Sequence, residues 1–278
     1  MTVHEVITSN IIKKLEDGVV PWKLPWDKTS GYPRNIDAKD GEHYHGINIL
    51  MTVMQRYASP FWLTFNQIQK KGGRIKKGEH ATPLIYAKTT EDDEGARHFF
   101  YRYYRVWNTT QCIGIPTPDI PVNTRINNPI AAADAIVAGW TAKPEIRHGY
   151  SQACYVPATD QIHMPNIEVF NSSEDYYDVL FHEMTHATGH DSRLARNFKY
   201  TGREYAYEEL VAEIGGAFLS NQAGFVDRTI DNSASYIDYW LNALKGDSKL
   251  VLTAAAKAQK AYELITESTN ESRATVAA

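Results

Sequence analysis

The chain has 278 residues, 43% hydrophobic and 22% charged, which suits two modest folded cores and excludes a disordered or fibrous protein. Its two cysteines, Cys112 and Cys154, exclude a disulfide framework and are expected as packed thiols, and no apolar run approaches a membrane span. The net charge of −4 conceals an asymmetry: residues 1–125 carry 17 Lys+Arg against 13 Asp+Glu (+4), and residues 126–278 carry 12 against 20 (−8), so the two halves are expected to have different partners.

The opening MTVHEVITSNIIKK lacks the basic start and apolar core of a secretory signal, which makes the cytoplasm the expected compartment. Within it Val3, Ile7, Ile11 and Leu15 recur every four residues and Gly18 follows, predicting an amphipathic helix with a stop. Trp22 and Trp26 each follow a proline and bracket Lys23. Two readings stand for them: aromatics that stack on unpaired bases while the lysine meets phosphate, or buried tryptophans that clamp a loop. In KKGGRIKKGEH, Lys70, Lys71, Arg74, Lys76 and Lys77 surround a Gly-Gly turn, a loop suited to following a sugar-phosphate backbone. The run HFFYRYYRVWN is a strand whose alternation sets Phe99, Tyr101, Tyr103, Arg105 and Trp107 on one face and Phe100, Arg102, Tyr104 and Val106 on the other. One face must be core; the other would show aromatics and an arginine to a single strand. The acidic EDDEGAR before it reads as a hairpin tip.

Prolines and asparagines in GIPTPDIPVNTRINNP interrupt the periodic segments and mark a linker. Beyond it, YVPATDQIHMP reads as two short extended segments around Ala158, Thr159 and Asp160, and an edge strand here, before the next helix, could hold a peptide by strand addition. The next segment carries the chemistry. HEMTH sets His182 and His186 four residues apart, on one face of a helix that Ser172 or Ser173 can cap, Ser172 with Asp175 resembling a capping box, and with Glu183 beside them as general base. Such a site binds zinc, though other divalent ions such as Mn also fit it, and it requires a third protein ligand. YAYEELVAEIGGAFL is the source of choice: Glu209, Ala212, Glu213 and Gly216 follow one stripe, and the small residues permit close approach to another helix. Glu209 is taken as the ligand and Glu213 as the carboxylate that orients a ligand imidazole, with exchanged roles as the alternative and Glu208 as a further choice. His190 is weighed as a ligand too, but Gly189 argues that the helix stops before it. Tyr150, Tyr155, Tyr200 and Tyr205 are unranked candidates for a transition-state donor. Residues 233–245 and 248–267 have helical spacing, and the rest is a polar tail without expected order.

Taken together, GVVPWKLPW, YPRN, YHGINIL, SPFWLTFNQ, KKGGRIKKGEHATP and RYYRVWNTTQC in front, with YVPATDQIHMP, FHEMTHATGHDSRLAR, YAYEELVAEIGGAFL and AAAKAQKAYELI behind, resemble the ArdC-type antirestriction proteins of conjugative plasmids. The resemblance implies a two-domain α+β protein: a mixed α/β single-stranded-DNA-binding domain over 1–118, a linker over 119–128, a zincin-like metallopeptidase domain over 129–267 and the polar tail over 268–278. It further implies protection of incoming plasmid DNA from host restriction, with single-stranded DNA and a protein or peptide substrate as partners and no membrane. Two rival readings are a DNA-coating protein whose metal site is structural or idle, and a cytoplasmic gluzincin-like peptidase without a DNA role.

Overall fold

The computed structural model describes residues 1–23, 32–39, 42–91, 97–118, 129–196, 202–225 and 234–276. The expected linker, Trp26, Tyr200 and residues 92–96 of the EDDEGAR tip lie outside them. The chain divides into two compact units: Met1–Pro21 with Asp27–Asn123, and Trp22–Trp26 with Thr124–Ala278.

The front unit begins with α1 (Val3–Glu16), opened by a Thr2/Glu5 capping box. Ile7, Ile11 and Leu15 form its buried stripe, and Gly18 takes a φ of 77° just past its end. A four-stranded sheet follows in the order β1 (Arg34–Asn35), β2 (Phe61–Thr64), β5 (Arg97–Asn108), β4 (Thr82–Glu91). α2 (Ile47–Val53) is joined to β4 by Asn48, whose side chain exchanges two hydrogen bonds with the Ile85 backbone at 2.8 Å each. α3 (Phe65–Lys70), also opened by a capping box, leads into the basic turn, and β3 (Arg74–Ile75) pairs with β6 (Cys112–Ile113). The two glycines of that turn meet different constraints, one of backbone conformation and one of space beside a side chain. Gly72 has a φ of 75°, and a Cβ on Gly73 would fall 2.3 Å from the Ile115 side chain.

The rear unit opens with α4 (Pro129–Gly139). Its three-stranded sheet runs β7 (Glu145–His148), β9 (Gln161–Met164), β8 (Cys154–Val156), with β7 parallel and β8 antiparallel to β9. The expected pair of extended segments is therefore the β8–β9 hairpin. Ile162 and Met164 face the core and alternate with Gln161 and His163, and Tyr155 points the same way from β8. That alternation turns Cys154 outward. It is exposed, whereas Cys112 is buried as expected. Four helices complete the unit: α5 (Ser173–Ala187), α6 (Gly202–Ala223), α7 (Ala234–Gly246) and α8 (Leu250–Val276). Helix α8 continues through most of the segment expected to be an unordered tail. Its good helix formers upstream carry the ladder past the last strongly apolar turn. Trp140, Ile162, Met164, Tyr177, Leu180 and Phe181 lie in the rear core. Among the described residues no helix is long and apolar enough to cross a membrane.

Candidate functional site

Helix α5 starts where Ser172 accepts a hydrogen bond from the Asp175 amide (3.1 Å), and its first turn carries Glu174 and Asp175 toward the positive end of the helix dipole. Tyr176, Leu180, Met184 and Ala187 are buried along it, which fixes the rotation that brings His182 and His186 to one side. Helix α6 runs antiparallel to α5. Ser220 donates to Asp178 (2.7 Å) near one end of the pair, and Glu208 meets His186 near the other. Glycine makes the approach close: a Cβ on Gly216 would stand 3.2 Å from the His182 backbone nitrogen, and one on Gly215 would stand 2.5 Å from the Thr185 side chain.

His182, His186 and Glu209 converge, one ligand atom from each lying within 4.8 Å of the others. The two imidazole Nε2 atoms are 3.1 Å apart; Glu209 Oε2 is 3.5 Å from His182 Nε2, and its Oε1 is 3.4 Å from His186 Nε2. A tetrahedral centre with bonds of about 2.0–2.1 Å spaces its ligand atoms by about 3.3–3.4 Å, so the three side chains stand close to the spacing that a divalent ion requires. Their charge fits as well. Burial works against protonating His186, but Glu208 and Glu209 outweigh it and lift the imidazole to about 9. Burial pushes the Glu209 carboxyl up, and the hydrogen bonds of His182 and His186 overcome it and hold the group well below the carboxylate range. A cation replaces the positive charge these acids otherwise draw onto the imidazole.

The carboxylate behind the ligands is Glu208, which corrects the expectation for Glu213. His186 Nδ1 lies 3.4 Å from Glu208 Oε1, and an N–H donated there leaves Nε2 with its lone pair toward the cluster. Glu208 is itself 1% exposed and is held by Arg196, which donates from Nε (3.0 Å) and Nη2 (2.7 Å) to its two oxygens. Arg196 also donates to Thr188 Oγ1 (2.6 Å) and to the Thr185 carbonyl (2.8 Å). Glu213 is half-buried one turn further along α6. Because the helices are antiparallel, that turn carries it away from His186 toward the start of α5. Sequence reasoning gave Arg196 no role, although a buried carboxylate calls for a cation and HDSRLAR supplies two arginines just after the metal helix.

Glu183 is buried beside the ligands and accepts a hydrogen bond of 2.7 Å from the Tyr155 backbone N–H, on the outer edge of β8. Among the tyrosines, Tyr205 stands one turn before Glu209 on α6. Burial first, then the Glu209 charge and a hydrogen bond with it, push the phenol up to about 12. The Tyr155 hydroxyl is taken by Asp160 (2.9 Å), and Tyr150 stacks on His163 with 3.8 Å between ring centroids. His190 lies beyond α5, its Nδ1 2.8 Å from Ser192 Oγ.

In the front unit the exposed face of β5 is the one bearing Tyr101 (43% exposed), Tyr103 (41%) and Arg105; Val106, and Leu84 of β4 opposite Tyr104, are fully buried on the other. Phe65 extends this row against Trp107, 47% exposed with 6.2 Å between ring centroids, and was not singled out from sequence. Arg102 is exposed on the opposite face, over the Phe100 ring. In the basic turn Arg74 and Lys77 are exposed, while Lys71 pairs with Asp37 (2.6 Å) and Lys76 donates to the Thr110 carbonyl (2.6 Å). Trp22 does not offer a stacking surface. It is fully buried in the rear unit, edge to face with Trp240 at 5.5 Å, so the loop-clamp reading holds for it. The Lys23 backbone closes the short 3-10 turn Pro21–Lys23.

Comparison with known proteins agrees with both units. Residues 1–107 match the N-terminal domain of anti-restriction factor ArdC, and residues 131–257 match the zincin-like metallopeptidase family. An uncharacterized Sinorhizobium fredii protein, y4eC, is 32% identical over 93% of this chain and 89% of its own length. A DNA primase TraC of Escherichia coli is 32% identical over 94% of this chain, which spans 27% of that longer protein. Among solved structures, the metal-free antirestriction ArdC protein from the R388 plasmid superposes with a TM-score of 0.78 at 35% identity, covering 98% of this chain and 99% of that one. Its Mn(II)-bound structure gives 0.77 at 34% identity, covering 96% and 98%. A two-domain α+β architecture, a zincin-like rear unit and this likeness along nearly the whole length make the chain a member of the ArdC antirestriction family.

Proposed function

We propose that the chain binds single-stranded DNA through its front unit, carries a zinc peptidase site in its rear unit, and thereby protects incoming plasmid DNA from host restriction in the cytoplasm. The observation that carries the enzymatic half is the convergence of His182, His186 and Glu209 with Glu183 beside them. In this reading those three side chains hold the ion, which when bound supplies the Lewis acidity that polarises a substrate carbonyl and acidifies water. Glu183 takes the proton of the attacking water and returns it to the leaving amine. Among the described tyrosines, Tyr205, one turn before Glu209 on α6, would serve as donor to the developing oxyanion. β8 is the edge strand of its sheet, and its outer edge, apart from the Tyr155 N–H given to Glu183, would receive an extended protein or peptide substrate. Glu208, backed by Arg196, keeps His186 in its ligand tautomer.

The DNA half is supported by the exposed row of Tyr101, Tyr103 and Arg105 with Phe65, and by the exposed cations Arg74 and Lys77 of the basic turn. Aromatic faces stack on bases of any identity while the cations track phosphates, which suits binding without sequence preference. Equilibrium binding of single- and double-stranded oligonucleotides across a salt series, with metal content determined on the same samples, tests the proposal. It predicts a single-strand preference that weakens steeply with salt, and about one ion per chain. Binding of neither form at any salt would leave a peptidase whose front unit recognises protein.

A further inference from the structure

One side chain fastens the β8–β9 hairpin to the metal helix. Arg193, in the turn after α5, is almost fully buried. Its Nε donates to the Ala187 carbonyl at the end of α5 (2.7 Å), and its guanidinium packs against the Trp140 ring at 5.8 Å. Its two terminal nitrogens donate to both oxygens of Asp160, at 3.0 Å from Nη1 and more closely from Nη2. Asp160 occupies the hairpin turn with a φ of 49°, a left-handed conformation that a non-glycine residue keeps only when its surroundings hold it there. The same carboxylate accepts the Tyr155 hydroxyl (2.9 Å), and Tyr155 is the residue whose backbone N–H donates to Glu183. A closed circuit results, from the end of α5 through Arg193, Asp160 and Tyr155 back to Glu183 one turn before that end.

We infer that Arg193 is a positioning residue for Glu183: acting through Asp160 and Tyr155, it holds the Tyr155 amide against one oxygen of the base and leaves the other oxygen for proton transfer. The inference rests on Glu183 being the base. A hydrogen bond from a fixed amide to a carboxylate is charge-assisted and directional, so it fixes both the rotamer of Glu183 and which oxygen it offers. Arg193 is suited to this task because its planar fork grips Asp160 with two bonds while a third nitrogen holds the helix end, a geometry that lysine cannot reproduce.

The test reads the Tyr155 amide by nuclear magnetic resonance and hydrogen exchange in the zinc-loaded full chain. In wild type this proton should resonate downfield and exchange slowly. In Arg193→Gln and in the milder Asp160→Asn it should move upfield and exchange about tenfold faster, as it should in Glu183→Ala, while β9 amides and zinc content stay as in wild type. An unmoved Tyr155 amide in Arg193→Gln would overturn the inference. So would uniform loss of protection across β8, β9 and α5 in both Arg193→Gln and Asp160→Asn, which marks a merely structural contact. Because the signal needs no turnover, a wild type that hydrolyses no casein would sink the peptidase reading, while a displaced amide would still support the brace.

Discussion

The two units handle charge in opposite ways. In the front unit the residues assigned to binding stand on a strand face or a turn, exposed, and two of the turn's lysines are merely tied down by surface contacts. In the rear unit the charges of the site are largely buried and each is answered by a partner: between α5 and α6, His186 by Glu208 and Glu209 and Glu208 by Arg196, and beside them, at the hairpin turn, Asp160 by Arg193. Solvent-exposed charges act in small, salt-screened, nearly additive steps. Buried ones act as a unit, because removing one member leaves another desolvated and unmatched. Under the proposed function, gripping any single strand while holding one ion in fixed geometry calls for both arrangements.

Substitutions can break this contrast, and the largest effects should fall in the rear unit. Glu208→Gln removes the countercharge of a buried arginine and should cost about 3–5 kcal/mol in denaturant unfolding, with metal affinity falling about 10–100-fold in calorimetric titration. Trp22→Ala should cost a similar 3–5 kcal/mol through the cavity it leaves against Trp240. If it instead weakened oligonucleotide binding at unchanged stability, Trp22 would belong to the DNA face after all. Tyr103→Ala should weaken single-strand binding by about 1–3 kcal/mol without altering the melting temperature, and Arg105→Ala should lower the slope of log K against log salt by about 0.7, both read by fluorescence anisotropy. Smallest of all, Glu213→Gln should change stability by less than about 0.5 kcal/mol and leave metal binding intact, which separates it from Glu208.

What could be read from sequence follows the same division. Four residues of α-helix fix the relation of His182 to His186 whatever surrounds them, so the helix that brings the two imidazoles to one side, with Glu183 next to them, was legible from spacing alone. Gly216 announced a close helix contact for the same local reason. Choosing among Glu208, Glu209 and Glu213 requires the direction and rotation of α6 against α5, which no local pattern contains. Glu209 agrees with the arrangement found, and Glu213 gave way to Glu208 because the helices run antiparallel. Likewise strand alternation divided β5 into two faces correctly, but only the packing of Leu84 and Val106 says which is covered. Trp22 kept two readings for the same reason, and its burial decides it. The Arg193 circuit joins three stretches of chain and has no signature in any of them.

The claim most exposed to direct test is that one chain holds a DNA-binding face and a separate proteolytic centre. Wild type and Glu183→Gln, both zinc-loaded, should be compared in parallel for single-strand affinity and for cleavage of a fluorescent casein. The account predicts equal affinity within about twofold and a fall in cleavage of about 10²–10⁴-fold. Cleavage by the variant at the wild-type rate would remove Glu183 as the base, and a matching loss of DNA binding would contradict the separation of the two units' roles.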